Sequence, residues 1–325
     1  MVYSLAHSII SPLGEGSQAN YEAVQSGRSG LKYYDSRFAE VEPLCASLFD
    51  EPQAFVPLCI KSIEMAAADR KCPLDSQNTI FILSTTKGDN LDLWSPAAAI
   101  AAHFGNPNKP VVVSNACTSG VCAQITAMRL LEAGMYQNAV VVGCDIQSRF
   151  IVSGFQSFKA LSSDPCLPFC PERKGLNLGE AAAAIIYSST DRFADETQSK
   201  DLWQLEAGSI HNDATHISAP SRTGEGAYRC LTDVLHGIRP EDVRLIGVHG
   251  TGTLYNDDME RTAIHRAGLD KVPMSVLKPF FGHTMGAAGI LETILCAMQV
   301  QQGQVIKMLS GFGGVNAAIR LEVRS

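Results

Sequence analysis

Residues 111–120 have the sequence VVVSNACTSG, and this stretch indicates the fold class most directly. Its run of valines favours a buried strand, because β-branched side chains pack well on a pleated sheet. A turn of small and polar residues follows, and apolar residues then cover most faces of a helix predicted over Val121–Ala133. The sequence therefore predicts a strand that runs directly into a buried helix, with Cys117 at the junction.

A second junction of the same kind lies at residues 275–292, SVLKPFFGHTMGAAGILE, where a buried helix is predicted over Met285–Val300. Short apolar runs predict further buried strands, and the full predicted set is Asn78–Ser84, Pro110–Ser114, Ala139–Gly143, Ala182–Tyr187, Arg244–Val248 and Pro273–Leu277. Strands that alternate with helices imply parallel α/β layers, and helices buried on all sides imply more than three layers.

The composition is that of a globular chain. Of its 325 residues 46% are apolar and 18% are charged, which allows a sizeable buried core. The polar stretch Thr190–Lys200 predicts a crossover between an N-terminal half, residues 1–190, and a C-terminal half, residues 191–325. Each half has a strand that runs into a buried helix. This indicates an internal duplication, although the amino-acid sequences of the two halves show no repeat.

The charge and hydropathy exclude several classes of protein. The net charge of −7 argues against general nucleic-acid binding but leaves room for an acidic protein partner at a small basic patch. No apolar stretch has the length of a membrane span, and the first residues lack the basic and apolar pattern of a signal peptide. We therefore expect a soluble, cytoplasmic protein.

Ten cysteines are scattered along the chain, and none forms a C-x-x-C pair. Most lie among apolar neighbours, as expected for reduced thiols in the core of a cytosolic protein. Cys166 and Cys170 are four residues apart in a loop that contains proline, but no pair of histidines lies near them in the sequence. We therefore expect no metal site at these cysteines.

Cys117 is the candidate nucleophile. At a helix N-terminus, unpaired backbone N–H groups and the helix dipole lie beside the thiol, an arrangement that lowers a thiol pKa. Small neighbours, Ala116, Ser119 and Gly120, leave room for a substrate. The alternative interpretation of this segment alone is a core cysteine on a buried turn.

Two histidines stand at strand ends beside glycine. His249 follows a predicted strand and begins the turn HGTGT, so its ring should project into a cleft. His283 precedes a helix predicted to open at Thr284, and a helix N-terminus favours a neutral imidazole. Lys278, at the end of a predicted strand in an apolar stretch, needs a counter-charge, for which Glu292 is the candidate. A lone histidine at a strand end is usually structural, and the other six histidines lack this context.

Together these segments resemble the β-ketoacyl synthases of fatty-acid and polyketide assembly, members of the thiolase-like superfamily. The family's nucleophile motif is similar to residues 115–120, NACTSG. Its first histidine motif, H-G-T-G-T followed by D and E, is similar to residues 249–260, and its second, K-x-x-x-G-H-x-x-G-A-A-G, to residues 278–289. Residues 311–316, GFGGVN, resemble the glycine loop whose phenylalanine gates the acyl pocket. Further matches lie at residues 11–14, 26–30, 160–165, 168–169 and 179–180.

The resemblance implies a thiolase-like α/β fold, with two duplicated halves of βαβ type in a five-layered α-β-α-β-α arrangement. It also implies a reaction, in which an acyl group on the cysteine condenses with a malonyl thioester as carbon dioxide leaves and a β-ketoacyl product forms. The catalytic residues that it implies are Cys117, His249, His283, Lys278 and Glu292.

The resemblance extends to substrate binding and partners. The backbone N–H groups of Cys117 and Phe312 would form an oxyanion hole. Thr251 and Thr253 would hydrogen-bond a phosphopantetheine arm, and Phe155 and Phe312 would line or gate the pocket, although ordinary core packing is the alternative for Phe155. The partners implied are acyl carrier protein and a second subunit, in a homodimer or in a heterodimer with a related ketosynthase-like chain. No bound cofactor is implied, because the phosphopantetheine arm arrives on the carrier protein.

The residues also discriminate within the superfamily. A histidine at position 283, and a last cysteine (Cys296) inside a buried helix, favour the elongating, decarboxylating type over initiating synthases and degradative thiolases. The chain is shorter than usual between Gly30 and Cys117, which leaves chain-length preference and partner choice open, and residues 169–172, FCPE, depart from the usual F-D-x-x.

Two other functions remain open on the same scaffold. One is an acyltransferase that uses Cys117 without decarboxylation, and the other is a chain-length partner subunit of a heterodimeric ketosynthase. Such partner subunits usually lack the nucleophile, so the presence of Cys117, His249 and His283 argues against the second.

Overall fold

The computed structural model describes residues 1–68, 72–190 and 203–324. The strands within these residues are β1 (Val2–Ser11), β2 (Gly14–Glu15), β3 (Lys32–Tyr34), β4 (Leu44–Ser47), β5 (Thr79–Ser84), β6 (Val111–Val113), β7 (Asn138–Asp145), β8 (Leu178–Gly179), β9 (Ala181–Ser188), β10 (Trp203–Asn212), β11 (Val243–Gly247), β12 (Met274–Ser275), β13 (Gly303–Gly311) and β14 (Val315–Val323). The helices are α1 (Ser17–Gln25), α2 (Phe55–Ala67), α3 (Trp94–His103), α4 (Ser119–Glu132), α5 (Arg149–Ser157), α6 (Glu225–Val234), α7 (Leu254–Arg266), α8 (Lys278–Phe281) and α9 (Ala288–Met298). Short 3₁₀ turns occupy Pro240–Asp242 and Met285–Ala287.

The large sheet consists of two similar arrays of strands. The first array has the order β1-β9-β7-β5-β6, and the second has the order β10-β14-β13-β11-β12. In each array the last three strands are parallel and the other neighbouring pairs are antiparallel. The arrays meet where β1 pairs with β10, at Val2–Tyr3 against Gln204–Leu205. The repeated order and direction fit the duplication expected from the sequence, but the expectation of parallel layers is wrong for the antiparallel pairs.

The helices and the two arrays form five layers. Helices α4 and α9 lie between the arrays, in a core that includes Ile82 and Ile185 of the first array and Val305 and Ile319 of the second. Helices α2 and α3 pack on the outer face of the first array. Helices α6 and α7 pack on the outer face of the second. The predicted α-β-α-β-α arrangement is therefore confirmed.

Two glycines allow the central helices to touch. A Cβ atom at Gly289 would lie 2.4 Å from a backbone nitrogen of α4, and one at Gly120 would lie 2.8 Å from the Cα atom of Gly289. The buried amide of Gln124 donates to the carbonyl oxygens of both glycines at 3.0 Å. Cys117 precedes α4 and His283 precedes α9, so this close crossing brings the two predicted junctions together.

The six predicted strands and the two predicted helices are present, with altered ends. The predicted strand Pro273–Leu277 is reduced to β12, and Lys278 begins the one-turn helix α8 instead of ending a strand. The helix predicted over Met285–Val300 is a 3₁₀ turn followed by α9. The other described strands are additional, and in the long ones, β1, β10, β13 and β14, polar residues interrupt the apolar runs and leave no clean sequence pattern.

The predicted crossover Thr190–Lys200 lies outside the described residues except for Thr190, so the boundary between the halves stays a prediction. Across the described ranges, no helix combines the length and the apolar character that crossing a membrane would require.

Candidate active site

Cys117 lies on a strained turn between β6 and α4. Ala116, the residue before it, has a φ of 47°, a left-handed conformation that is uncommon for a residue with a side chain. Ser119 closes the turn, since its Oγ accepts the backbone N–H of Asn115 at 2.7 Å and donates to the carbonyl of Ala116 at 2.6 Å. Helix α4 begins at Ser119, so the predicted place of Cys117 at a helix N-terminus is confirmed.

The environment of the Cys117 sulfur favours the thiol over the thiolate. Burial raises the pKa of Cys117 to about 11, while the charge of Lys278 and the backbone N–H groups of Phe312 and Cys117 act in the opposite direction. The side chain is 7% exposed. The expectation of a lowered thiol pKa is therefore wrong for the free site, because the removal of water outweighs the helix terminus. The same two N–H groups are those predicted to form the oxyanion hole.

The two histidines lie beside each other and beside Cys117. His249 follows β11, and His283 lies on the turn that leads to α9. Their ring centroids are 5.1 Å apart with an interplanar angle of 79°. One ring nitrogen of each histidine and the Cys117 sulfur all lie within 4.8 Å of one another. The tertiary structure thus brings together the three residues that the sequence predicts as the reaction centre.

Both imidazoles are neutral. Burial lowers the pKa of His249 and of His283 well below the ordinary value, and the nearby lysine charges lower both further. Nδ1 of His283 accepts the backbone N–H of Met285 at 3.3 Å, so the hydrogen of the neutral ring lies on Nε2. This Nε2 is buried and lacks a hydrogen-bond partner among the described residues. It is therefore a donor available to a substrate oxygen.

The neutral state of His283 agrees with the sequence prediction, but its cause differs. A helix opening at Thr284 was the expected origin, whereas a 3₁₀ turn, Met285–Ala287, follows the histidine. Burial is the main cause of the lowered pKa, and the charges of Lys278 and Lys307 add to it.

Buried carboxylates on α7 hold the loop that begins at His249. Glu260 accepts the backbone N–H groups of His249 and Gly250 at 2.6 and 2.7 Å. Asp257 accepts the backbone N–H of Gly252 at 3.2 Å. Burial raises the pKa of Glu260 to about 7 in spite of its hydrogen bonds from these two N–H groups. The acidic residues of the first histidine motif therefore support the loop and do not face the cavity lined by the histidines.

One buried glutamate binds two lysines. Oε1 of Glu292 lies 2.6 Å from Nζ of Lys278, and Oε2 lies 2.6 Å from Nζ of Lys307. Burial opposes the charge on Glu292, but the two lysines hold its pKa below the ordinary value. The predicted pairing of Lys278 with Glu292 is confirmed.

Lys307 is a residue that the sequence analysis missed. It lies on β13, and its Nζ also donates to the carbonyl oxygens of Gly247 and Val248 at 3.2 and 2.8 Å. A lone lysine inside the apolar run VIKML, residues 305–309, is the same signal that identifies Lys278. Applied to this run, that signal would have indicated a second buried cation.

Asp145 supports the loop after His283 and was also missed. It is fully buried at the end of β7. Its carboxylate accepts the backbone N–H of Gly286 at 2.8 Å, the backbone N–H of Thr86 at 3.0 Å and Nζ of Lys87 at 3.0 Å. Ser84 donates to the carbonyl of Gly286 at 2.7 Å, so both backbone polar groups of Gly286 are hydrogen-bonded. A carboxylate two residues after the predicted strand AVVVG was the available signal.

Two cavities meet at Cys117. The first, of about 370 Å³, is lined by both histidines and by Thr251 and Thr253. The hydroxyl oxygens of these threonines are 2.9 Å apart. The second cavity, of about 430 Å³, is lined mainly by apolar side chains, among them Leu91, Phe150 and Met285.

Two phenylalanines stand between the cavities. Phe155 on α5 and Phe312 in the glycine loop border both cavities together with Cys117. Their rings stack with centroids 5.9 Å apart. Phe312 is 38% exposed, whereas Phe155 is 7% exposed. This geometry places both rings where a gate between the cavities would have to be.

The reaction centre is a poor metal site in spite of its donor atoms. Cys117, His249 and His283 are the kinds of residue that bind zinc, but the available nitrogen of His283 carries a hydrogen. The lysines behind the histidines also repel a cation. Cys166 and Cys170 are free thiols, and neither belongs to a group of three candidate ligands in the part of the chain that the structure describes.

A duplicated five-layered fold with a buried Cys-His-His centre defines a thiolase-like protein. The same fold is found in a chain of the complex between the ketosynthase ApeO and its chain length factor ApeC from Xenorhabdus doucetiae. The TM-score is 0.85 at 23% identity, over 99% of this chain and 98% of that chain.

Sequence comparisons identify the family. The protein-family model "Beta-ketoacyl synthase, N-terminal domain" matches residues 65–191 of this chain. The protein-family model "Beta-ketoacyl synthase, C-terminal domain" matches residues 204–311. The chain belongs to the β-ketoacyl synthase family.

Curated relatives agree with this assignment. Nodulation protein E of Rhizobium leguminosarum bv. trifolii is 32% identical over 243 residues, which are 73% of this chain and 59% of that protein. The 3-oxoacyl-[acyl-carrier-protein] synthase 2 of Rhizobium meliloti (strain 1021) is 31% identical over 227 residues, which are 66% of this chain and 53% of that protein. The matched regions therefore span little more than half the length of these relatives.

Proposed function

We propose that this protein condenses an acyl group held on Cys117 with a malonyl thioester, with loss of carbon dioxide, to give a β-ketoacyl thioester. The observation that carries the proposal is the position of the sulfur between two cavities, one of which contains two neutral, buried histidines. The apolar cavity can hold an acyl chain while the other holds the malonyl thioester. The methylene carbon of the malonyl thioester then lies next to the acyl carbonyl carbon bound to Cys117.

In the first half-reaction the sulfur of Cys117 attacks the carbonyl carbon of an acyl thioester. A carbon–sulfur bond to Cys117 forms, the bond to the carrier's sulfur breaks, and the departing thiol receives the Cys117 proton. The backbone N–H groups of Cys117 and Phe312 stabilise the oxyanion of the intermediate. Because the free thiol has a raised pKa, the proton leaves as the sulfur attacks, and His249 is close enough to relay it.

In the second half-reaction a malonyl thioester occupies the first cavity. The bond between its carboxylate and methylene carbons breaks, carbon dioxide leaves, and the electron pair passes into an enolate. The enolate oxygen accepts hydrogen bonds from the two histidines, for which the unpartnered Nε2 of His283 is suitably placed. The carbanion then attacks the acyl carbonyl carbon, so that a carbon–carbon bond forms and the bond from this carbon to the Cys117 sulfur breaks. The departing sulfur takes up a proton from solvent and returns to the thiol.

The scheme needs no bound cofactor, because the phosphopantetheine arm of a carrier protein delivers both substrates. Thr251 and Thr253 line the first cavity and would hydrogen-bond this arm. A carrier protein is named as the substrate carrier of the Rhizobium meliloti relative.

A second subunit is the other proposed partner. Strand β6 ends its array with a free edge among the described strands, beside the exposed side chains of Leu91 and Phe150 that line the second cavity. The similar Xenorhabdus structure contains a ketosynthase and a chain length factor. We assign this chain the role of the catalytic subunit, in either a homodimer or a heterodimer.

The test is intact-mass analysis of the protein with acyl carrier protein and malonyl carrier protein, beside Cys117→Ala. An adduct on Cys117 that is consumed with release of carbon dioxide is the expected result. An adduct that persists when the malonyl thioester is added would favour an acyltransferase. Absence of any adduct with every acyl chain tried would leave the chain-length partner subunit as the better assignment.

A further inference from the structure

Lys307 is a buried cation behind the histidine pair. Its side chain is 1% exposed, and its Nζ lies 2.6 Å from Oε2 of Glu292. The same nitrogen donates to the carbonyl oxygens of Gly247 and Val248, the two residues that directly precede His249. A buried lysine on a β-strand is costly unless its charge is used or neutralised. Glu292 cannot neutralise it alone, because Glu292 already binds Lys278.

The charges behind the reaction centre do not cancel. Lys278 and Lys307 each contribute one positive charge, and Glu292 contributes one negative charge, which leaves one positive charge in excess. The histidines are neutral and do not change this balance. Another buried carboxyl group, Glu260, has its pKa raised to about 7 by burial, and its oxygens accept hydrogen bonds from two backbone N–H groups and from the side chain of Asn256.

We propose that Lys307 is a positioning residue that supplies a second buried positive charge and thereby promotes the decarboxylation of the malonyl thioester. This inference rests on the proposed condensing function. During decarboxylation the negative charge moves from the departing carboxylate to the enolate oxygen at the histidines. A cation behind the histidines stabilises the charge where it arrives, so it acts on the transition state more than on substrate binding.

The geometry separates the role of Lys307 from that of Lys278. Both lysines act on His249 and His283, whereas Lys278 is the lysine that acts on the Cys117 sulfur. Lys307 hydrogen-bonds the two carbonyl groups directly before His249. Loss of Lys307 should therefore affect decarboxylation selectively, and loss of Lys278 should affect both half-reactions.

The experiment uses Lys307→Gln, which removes the charge but keeps a hydrogen-bond donor for the two carbonyls. Acylation of Cys117 is followed by intact mass, and decarboxylation is followed by release of labelled carbon dioxide from malonyl carrier protein. For Lys307→Gln we expect kcat of decarboxylation to fall on the order of tenfold to a hundredfold, with KM and the acylation rate changed by less than about threefold. Lys278→Met, the comparison variant, should slow both half-reactions.

Each outcome has a distinct meaning. Decarboxylation by Lys307→Gln at the wild-type rate would overturn the inference, and so would an equal loss in both half-reactions, which indicates general structural damage. Lys307→Arg, which restores the charge, should recover part of the lost decarboxylation. If Lys307→Gln does not fold, Lys307→Met, whose side chain suits the apolar neighbours, takes the same test. If the wild-type protein itself releases no carbon dioxide, the proposed function fails and the role of Lys307 fails with it, whereas a wild-type rate in Lys307→Gln overturns the role of Lys307 alone.

Discussion

At the scale of single residues, burial sets the protonation states of the site. Cys117 is a thiol in the free protein and the two histidines are neutral, because water is excluded from all three. Neutral histidines can stabilise a negatively charged oxygen only by donating hydrogen bonds, because they carry no charge of their own. The positive charge near the histidines therefore comes from two buried lysines, Lys278 and Lys307.

The role of His283 as a hydrogen-bond donor can be tested by removing its ring. In His283→Ala we expect decarboxylation to fall on the order of a hundredfold, because one donor to the enolate is lost. Acylation of Cys117 should change far less, since the oxyanion hole for that step is made of backbone groups. Both rates are measurable by intact mass and labelled carbon dioxide. His265→Ala, at an exposed histidine paired with Asp270, is the control and should change neither rate.

The raised pKa of Glu260 makes stability depend on pH. A carboxyl group with a raised pKa binds its proton more tightly in the folded state, so its contribution is present at low pH and is lost as pH rises through the folded pKa of about 7. Between about pH 6 and about pH 8 this group should lower the free energy of unfolding by about 1 kcal/mol. Urea denaturation at the two pH values measures this change. Glu260→Gln should show a smaller decrease, and an identical decrease in both proteins would contradict the assignment.

At the scale of secondary-structure elements, the site depends on two central helices that touch. Cys117 and His283 each precede one of these helices, and the helices cross where Gly120 faces Gly289. Two glycines at a crossing permit an approach that larger residues would prevent. The distance between Cys117 and His283 is thus fixed by backbone packing in the middle layer.

Gly289→Ala should therefore be destabilising. Its new Cβ atom would lie 2.4 Å from a backbone nitrogen of α4, and overpacking of this kind costs about 1–3 kcal/mol. The matched control is Gly154→Ala on α5, where no atom lies within 4 Å of the added Cβ. Because alanine favours a helix over glycine, the control should gain about 0.5–1 kcal/mol. Urea denaturation compares the variants, and a similar change in both would refute the close crossing.

At the scale of the whole molecule, the described part of the large sheet has two free edges, β12 and β6, and the β6 edge is the one next to Cys117. Strand β6 has a free edge among the described residues, and the turn that follows it carries Cys117. The apolar cavity next to Cys117 is bordered by Leu91, which is 64% exposed, and Phe150, which is 67% exposed. Exposed apolar side chains beside a free strand edge favour association with a second subunit.

A charge on this face should weaken such association. We expect Phe150→Asp to raise the dissociation constant of the dimer by about tenfold or more, since a carboxylate would have to be desolvated in an apolar contact. Sedimentation velocity over a concentration series, alone and with candidate partner subunits, measures the effect. Met135→Asp is the control, because Met135 is 63% exposed but does not line the second cavity. Equal behaviour of the two variants would place the contact elsewhere.

The sequence by itself determined the local features of this protein. The valine run before Cys117, the small residues of its turn and the apolar helix after it define a strand, a turn and a helix through neighbours in the chain. Lys278 and Glu292 are single charged residues in apolar stretches. Their pairing could be predicted from the sequence, because a buried charge requires a counter-charge wherever it occurs.

The tertiary structure alone decided what depends on distant segments. The pKa of Cys117 is raised and not lowered, because the sulfur is buried by segments from distant parts of the chain. Residues 111–120 alone do not contain this information. Lys307 lies beside Glu292 in the fold in which β13 pairs with β11 in the second array. The two cavities exist only between segments that the fold assembles. Short-range patterns therefore fix which residues can react, and long-range packing fixes their charge, their distances and the space around them.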